Sequence, residues 1–422
     1  MGITSYVKTN SHKKEKYLMS TSLLYHGFGV RGYDYFKSKF EGGAVTFTLQ
    51  PKAFDLQCSV CSSRNVIRRG KVERQFRSLP IGRKPVWFSL ALQRVECLAC
   101  GLVRQMKIRF ADPRRTYTRS FERYTLDLSG HMTILDTARH LGVSWDIIKD
   151  IQKRYLIRRF SRPKLGKLKK IAIDEISIGK GHRYLTVVLD LTTGAVVFVG
   201  DGKGADALDL FWKKIRCAKA RIKAVAIDMS PAYISAVISN LPNAKIVFDH
   251  FHVIKLFNEK LSNLRRDLYH EVKDILQKKV LKGTRWLLLK NPENLNPDRE
   301  EARRLEEALE LNQPLATAYY MKEDLRQLWS QPDKQKAEAF LEGWIARARS
   351  SNVLMLKKFA NTLAAHKSGL LAYYDYPIST GPLEGTNNKI KTMQKQAYGF
   401  RDMEFFKLKI KALHLTKYAL IG

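Results

Sequence analysis

Two cysteine pairs constrain this chain more tightly than any other feature. The first is Cys58-Ser-Val-Cys61 and the second is Cys97-Leu-Ala-Cys100, followed by Gly101. Each C-x-x-C sets two thiolates on one tight turn, and two such turns complete a tetrahedral Zn2+ site. The fifth cysteine, Cys217, stands alone. The N-terminus lacks an apolar signal core ending at small residues, so an unsecreted protein is expected. There, paired cysteines favour metal over disulfides. Between the pairs, residues 66–68 and 86–90 read as strands of a zinc ribbon.

Charge narrows the partner. The chain has 422 residues, 75 Lys and Arg against 40 Asp and Glu, and a formal net charge of +35. Apolar residues make up 45%, enough for substantial cores, so the charge does not belong to a disordered tail. Such an excess implies a polyanion, and nucleic acid fits best. Arg68, Arg69, Lys71, Arg74, Arg77, Arg83, Lys84 and Arg94 crowd the ribbon, where acids are few. Phosphate-backbone contact by the ribbon is the expectation. No apolar run reaches ~18 residues, so neither a transmembrane helix nor a membrane partner is expected.

The stretch from Thr133 to Ile151 has a helix-turn-helix pattern. Ala138 is small where two helices approach. Gly142, between Leu141 and Val143, suits a left-handed turn. Ser144 suits the cap of the second helix, and Ile147, Ile148 and Ile151 give it an apolar face. Trp145, Lys149, Lys153 and Arg154 fall on its other face, as candidates for the DNA major groove.

Three apolar strands further on are read as ending in acids. They are Lys170-Ile-Ala-Ile-Asp174-Glu175, Ala224-Val-Ala-Ile-Asp228 and Ala244-Lys-Ile-Val-Phe-Asp249. Between the first two, residues 184–191 and 195–199 read as an antiparallel meander turning at Thr192-Thr193-Gly194. Strands ending on acids gather them at one sheet edge, which is costly unless cations neutralise them. A fourth acid lies in Gly381-Pro-Leu-Glu384, where Pro382 suits a first helical turn. Glu384 and Lys391, seven apart, share one helix face. Oxygen ligands suit hard cations, so Mg2+ (or Mn2+) is expected. Two such ions clamp an in-line phosphoryl displacement.

At this point the chain resembles a known family. Zinc ribbon, helix-turn-helix and acid-bearing domain, in that order, are similar to the ISL-three insertion-sequence transposases, the 204/1001/1096/1165 group. The stretches that carry the resemblance include VERQFRSLPIGRKP, IAIDEISIGKGHRYLTVVLDL, AIDMSPAYISAV, FDHFHVIKLFNEKL and GPLEGTNNKIKTMQKQAYGF. They span nearly the whole chain. The resemblance implies a DDE transposase with an RNase H-like catalytic fold. It carries the first acid onto Asp174, the second onto Asp228 and the glutamate onto Glu384. Lys391 falls where such families place a lysine, while Asp249 and His252 match an accessory D-x-x-H element. Asp174 and Glu175 are adjacent, and strand alternation admits only one of them; Asp174 is chosen.

The expected class is thus multidomain α/β. Its parts are an N-terminal segment (1–50), a zinc ribbon (51–112) and a helix-turn-helix domain (115–162). Then come the first part of the RNase H-like domain (168–261), an all-helical insertion (262–376) and the second part of the catalytic domain (377–422). Within the insertion, Trp286 is a candidate for stacking on an extruded base, though core packing is commoner for tryptophan. Tyr398–Arg401 reads as a DNA-channel edge or a helix stop at Gly399. The implied activity is metal-dependent cleavage and strand transfer at the terminal inverted repeats of the element and at target DNA. Pairing two ends implies a homodimer or higher oligomer, and the implied setting is the bacterial cytoplasm, associated with the nucleoid. A non-catalytic DNA-binding regulator and a related nuclease are the alternatives.

Overall fold

A long two-stranded hairpin organises the first half of the protein. The computed structural model describes residues 22–52 and 56–414. The opening of the 1–50 segment and residues 415–422 lie outside the described residues. The chain divides into two compact units, residues 1–155 and 156–422.

In the first unit a short helix, α1 (Leu23–His26), precedes a five-stranded sheet built from β1 (Tyr33–Glu41), β2 (Ala44–Pro51), β3 (Val66–Ile81), β4 (Lys84–Cys97) and β5 (Val103–Gln105). The order is β1-β2-β4-β3, with β5 also on β4. The β3–β4 hairpin turns through Gly82, whose φ of 58° favours a residue without a side chain. β2 runs parallel to β4, pairing Val45 with Val86 through Leu49 with Leu90. The boundary expected at residue 50 therefore falls inside one sheet. Phe28, Phe47, Phe76, Phe88 and Phe110 meet edge-on or tilted in its core.

Three helices complete this unit: α2 (Arg119–Leu128), α3 (Ile134–Leu141) and α4 (Trp145–Phe160), the last running across the division at residue 155. The Thr118 and Thr133 hydroxyls accept from the N–H groups of Phe121 and Asp136, capping α2 and α3. Gly142 takes the left-handed conformation (φ 61°, ψ 42°) that ends α3. Ala138, Leu141, Ile148 and Ile151 are buried together, as their spacing predicts. Arg77 is not a surface cation of the ribbon. It is 5% exposed, donates to the Leu141 carbonyl at 2.8 Å and joins the sheet to the end of α3.

The second unit is built on another five-stranded sheet: β6 (Lys170–Gly179), β7 (Arg183–Asp190), β8 (Ala195–Asp201), β9 (Ala224–Ile227) and β10 (Lys245–Phe248). The order is β10-β9-β6-β7-β8. β6, β7 and β8 form the antiparallel meander, and β9 and β10 extend it in parallel. Ile171, Ala172 and Ile173 are all buried on β6, as expected of a central strand covered on both faces. β6 does not stop at the acids; it continues through Ile178. Between β8 and β10 lie α5 (Asp209–Cys217) and α6 (Pro231–Asn240).

After β10 the described chain is helical: α7 (His250–Glu271), α8 (Ile275–Gly283), α9 (Glu301–Glu310), α10 (Gln313–Arg326), α11 (Lys334–Ser350), α12 (Leu354–Ala365) and α13 (Lys367–Leu371), with 3-10 turns between them. Phe257, Trp344 and Phe359 form their aromatic centre. α7 is continuous through the boundary expected at residue 262, because one apolar stripe, Val253, Phe257 and Leu261, buries its whole first half. α13 lies so close to β10 that a Cβ on Gly369 would meet the Phe248 ring at 2.3 Å. Trp286 is 65% exposed, with the Arg285 guanidinium 4.7 Å from its ring centre, so it is not core. Finally α14 (Gly381–Gln396) and α15 (Met403–Ala412) return to the sheet; Leu383, Ile390, Phe406 and Ile410 share its core. Gly399, at φ 97°, follows the end of α14 as a helix stop would. No described helix is long and apolar enough to cross a membrane.

Candidate functional site

The four paired cysteines converge. Their sulfurs all lie within 4.8 Å of one another, with Cys58 to Cys100 at 3.8 Å and Cys61 to Cys97 at 3.4 Å. A tetrahedral zinc with Zn–S bonds of ~2.3 Å has sulfur edges of about 3.8 Å, so the quartet fits the ion. Both knuckles turn through a positive φ just after the second cysteine, at Ser62 (62°) and Gly101 (68°). The backbone N–H groups of Cys61 and Val60 pull the Cys58 thiol down to about 6. Cys100 goes the other way, to about 12; the Leu102 N–H lowers it, but burial and the other three thiols outweigh that. Thiols that compete for protons in this way release them to a cation.

On α4, Trp145 is 42% exposed and the Lys149 ammonium sits 5.2 Å from its ring centre. Lys153, one turn on, is half-buried. Arg154 corrects the sequence expectation. Its guanidinium donates to both Glu122 oxygens at 3.0 and 3.1 Å, to the Tyr117 hydroxyl at 3.2 Å and to Asp112 at 3.4 Å. A cation so engaged clamps α4 to α2 and is not offered to a groove.

In the second unit, Asp174 sits mid-strand, opposite Val187. Asn387 of α14 donates to its Oδ2 at 2.9 Å. The next side chain, Glu175, lies close enough to the Tyr233 hydroxyl of α6 for that hydroxyl to favour its charged form, while the hydroxyl itself pairs with Thr186 at 3.1 Å. The two neighbours thus serve different helices, as strand alternation requires. Asp228 follows β9 directly, and its Oδ1 accepts from the Ser230 N–H at 3.0 Å. Burial raises the Asp174 carboxyl above its usual range; the Asp228 charge adds to this, while His252, the Glu175 N–H and Lys255 oppose it. Glu175 is raised by burial and then by Asp228 and Asp174. These acids lie in one another's field, and His252 reaches the same field from α7.

Glu384 is exposed in the first turn of α14, three residues before Asn387. That is a rise of about 4.5 Å along the helix from the contact with Asp174. Gln394, near the other end of α14, donates to the Ile178 carbonyl at 2.5 Å, so the helix is tied to β6 twice. Lys391 is exposed on the same helix. The carboxylates are not drawn in around one point: among the described residues, the cysteine quartet is the group of three or more His, Cys, Asp or Glu side chains so gathered.

Asp249 has a different place from the other acids. It is 2% exposed, caps α7 at the Phe251 N–H and accepts from both the N–H and the hydroxyl of Thr380. Thr380 is the residue before α14. Asp249 therefore fixes where the Glu384 helix begins. Sequence reasoning missed Asn387, Tyr233 and Lys255. Asn387 was within reach, since it lies at i+3 from Glu384 on the helix face that was followed to Lys391.

A zinc-fitting ribbon, a helix-turn-helix and a mixed sheet whose acids lie in one another's field are the parts of a DNA-binding enzyme. Family models give that class a name: a transposase model of the ISL3 family matches residues 171–410, the helix-turn-helix domain of transposase family ISL3 matches 106–156, and the zinc-finger of transposase IS204/IS1001/IS1096/IS1165 matches 56–100. The chain belongs to the ISL3 family of insertion-sequence transposases. It is 32% identical to the transposase for insertion sequence element IS1001 of Bordetella parapertussis, over 94% of this chain and 98% of that one. It is 27% identical to the transposase for element IS1557 of Mycobacterium tuberculosis (strain CDC 1551 / Oshkosh), over 86% of each. Among solved structures, the chain is similar to the Drosophila P element transposase strand transfer complex, over 72% of this chain and 94% of that one, at a TM-score of 0.40 and 11% identity.

Proposed function

We propose that Asp174, Asp228 and Glu384 hold two divalent cations, Mg2+ or Mn2+, and that the enzyme uses them to cut and join the ends of its own insertion element. One observation carries this reading. Asp174 on the central strand feels the charge of Asp228 and is hydrogen-bonded to the helix that bears Glu384. The donors are all carboxylate oxygens, which suit a hard cation, and at Asp174 burial and the Asp228 charge make a cation a welcome partner. When bound, the cations activate water or a DNA 3′-hydroxyl and stabilise the leaving oxygen. His252 and Lys255 offset the negative charge that remains, and Lys391 meets a DNA phosphate. Glu175, turned to Tyr233, stays outside the ligand set. Asp249 acts through Thr380.

Around this site we read an RNase H-like domain, supported by the antiparallel meander extended by two parallel strands. The helical stretch 262–376 is read as an insertion between Asp228 and Glu384. Trp145, Lys149 and Lys153 contact the terminal repeats, with ribbon cations on the phosphates. A homodimer or larger assembly pairs two ends in the bacterial cytoplasm. The test is purified protein, DNA carrying the element ends, and Mg2+. Wild type nicks and joins; Asp228→Ala does neither. Undiminished activity of Asp228→Ala refutes the site, and cleavage of arbitrary DNA without joining identifies a nuclease instead.

A further inference from the structure

Asn387 uses only one end of its side-chain amide. The residue is 7% exposed. Its amide nitrogen donates to Asp174 Oδ2 at 2.9 Å, while its Oδ1 is buried without a hydrogen-bond partner. The orientation is fixed by chemistry: exchanging the two ends would set an oxygen lone pair against a carboxylate. A buried polar atom left unpaired in a native structure needs a reason. Here the reason is positional. The atom belongs to the residue that touches Asp174, on the helix that carries Glu384 one turn earlier. A neutral amide oxygen is among the donors that hard divalent cations and their bound waters accept.

We propose that Asn387 is a positioning residue of the metal site: its amide orients the Asp174 carboxylate, and its carbonyl oxygen takes a hydrogen bond from the water shell of the cation. The inference rests on the reading that Asp174 holds a divalent ion. It goes beyond that reading by giving the strand and the helix one shared organiser. Groups that orient a metal ligand from behind typically contribute 10–100-fold to metal affinity.

The experiment measures Mn2+ binding to the zinc-loaded, full-length protein without DNA, by calorimetry, alongside thermal melting. Asp174→Asn loses Mn2+ binding. Asn387→Ala binds Mn2+ about 10–100-fold more weakly and melts cooperatively. If Asn387→Ala fails to fold, Asn387→Asp decides the matter. It sets a second carboxylate against Asp174, so Mn2+ raises its melting temperature by more than it raises that of wild type. Wild-type Mn2+ affinity in Asn387→Ala, with binding lost in Asp174→Asn, overturns the inference and leaves the site standing. So does a Mn2+ shift in Asn387→Asp no larger than in wild type. Wild-type Mn2+ affinity in Asp174→Asn overturns the underlying reading itself.

Discussion

The two sites differ in how complete they are before any ion arrives. In the ribbon, four sulfurs stand within 4.8 Å of one another on two knuckles at the ends of one hairpin. In the catalytic unit, Asp174, Asp228 and Glu384 come from a central strand, the end of a second strand and the first turn of a distant helix, and they are not so gathered. The first is a closed structural site, whose geometry local turns supply. On the proposed reading the second is open: three acids held apart leave positions on two hard cations for substrate oxygens to fill. Soft ligands on tight turns make a permanent fixture; separated carboxylates, if they hold cations as proposed, need DNA to complete the site.

The largest test of this contrast is removal of a catalytic acid. Asp228→Ala or Glu384→Ala lowers end cleavage by ~10²–10³-fold or more, the lower bound being the scale seen when one charge-stabilising group is lost from an active site. Zinc content and end binding stay at wild-type levels, checked by elemental analysis and gel shift. Joint loss of cutting and binding would break the separation of the sites. Next in size is Cys58→Ser or Cys97→Ser. Either substitution loses bound zinc and impairs end binding, because the ribbon is folded by its ion. Full zinc occupancy in either variant would refute the quartet.

A smaller effect separates the adjacent acids. Asp174→Asn abolishes cleavage, whereas Glu175→Gln retains most of it, since it is Asp174 and not Glu175 that is hydrogen-bonded to the helix bearing Glu384. The reverse order, measured by end nicking, would exchange their roles. Smaller again is Arg154→Ala, which removes the clamp between α2 and α4 and costs on the order of 2 kcal/mol in unfolding experiments. Weakened DNA binding at undiminished stability would restore Arg154 to the interface. The smallest is Lys149→Ala, expected to weaken binding across sequences and to reduce the salt slope by about 1.

What could be read from the sequence follows the range of the interactions. The zinc ligands were legible because both partners of each knuckle lie within four residues. Gly142 was legible because a left-handed turn leaves its mark on one residue. Asp228 and Asp249 stand at strand ends, where the apolar run breaks off. Asp174 differs: β6 goes on through Ile176 and Ile178, and its pairing with β7 outweighs the interruption by two acids. Arg154 and Arg77 read as surface cations because their partners, Glu122 and the Leu141 carbonyl, are brought to them only by tertiary packing. The parallel pairing of β2 with β4 is likewise invisible locally, which is why the N-terminal segment looked separate. Asn387 carried a periodic signal, but its contact with Asp174 spans 213 residues.

The Asp249–Thr380 link has a consequence for biosynthesis. The two residues are 131 positions apart. At ~5–20 residues per second, the ribosome needs roughly ten seconds to deliver the second after the first. During that interval the ribbon and helix-turn-helix have already emerged, while the helix bearing Glu384 has not been made. A translation product that ends before Thr380 keeps the ribbon and the helix-turn-helix and lacks Glu384, the acid proposed to hold a cation for cutting. On the proposed reading, competence to cut DNA is acquired only after DNA-binding parts have already left the ribosome.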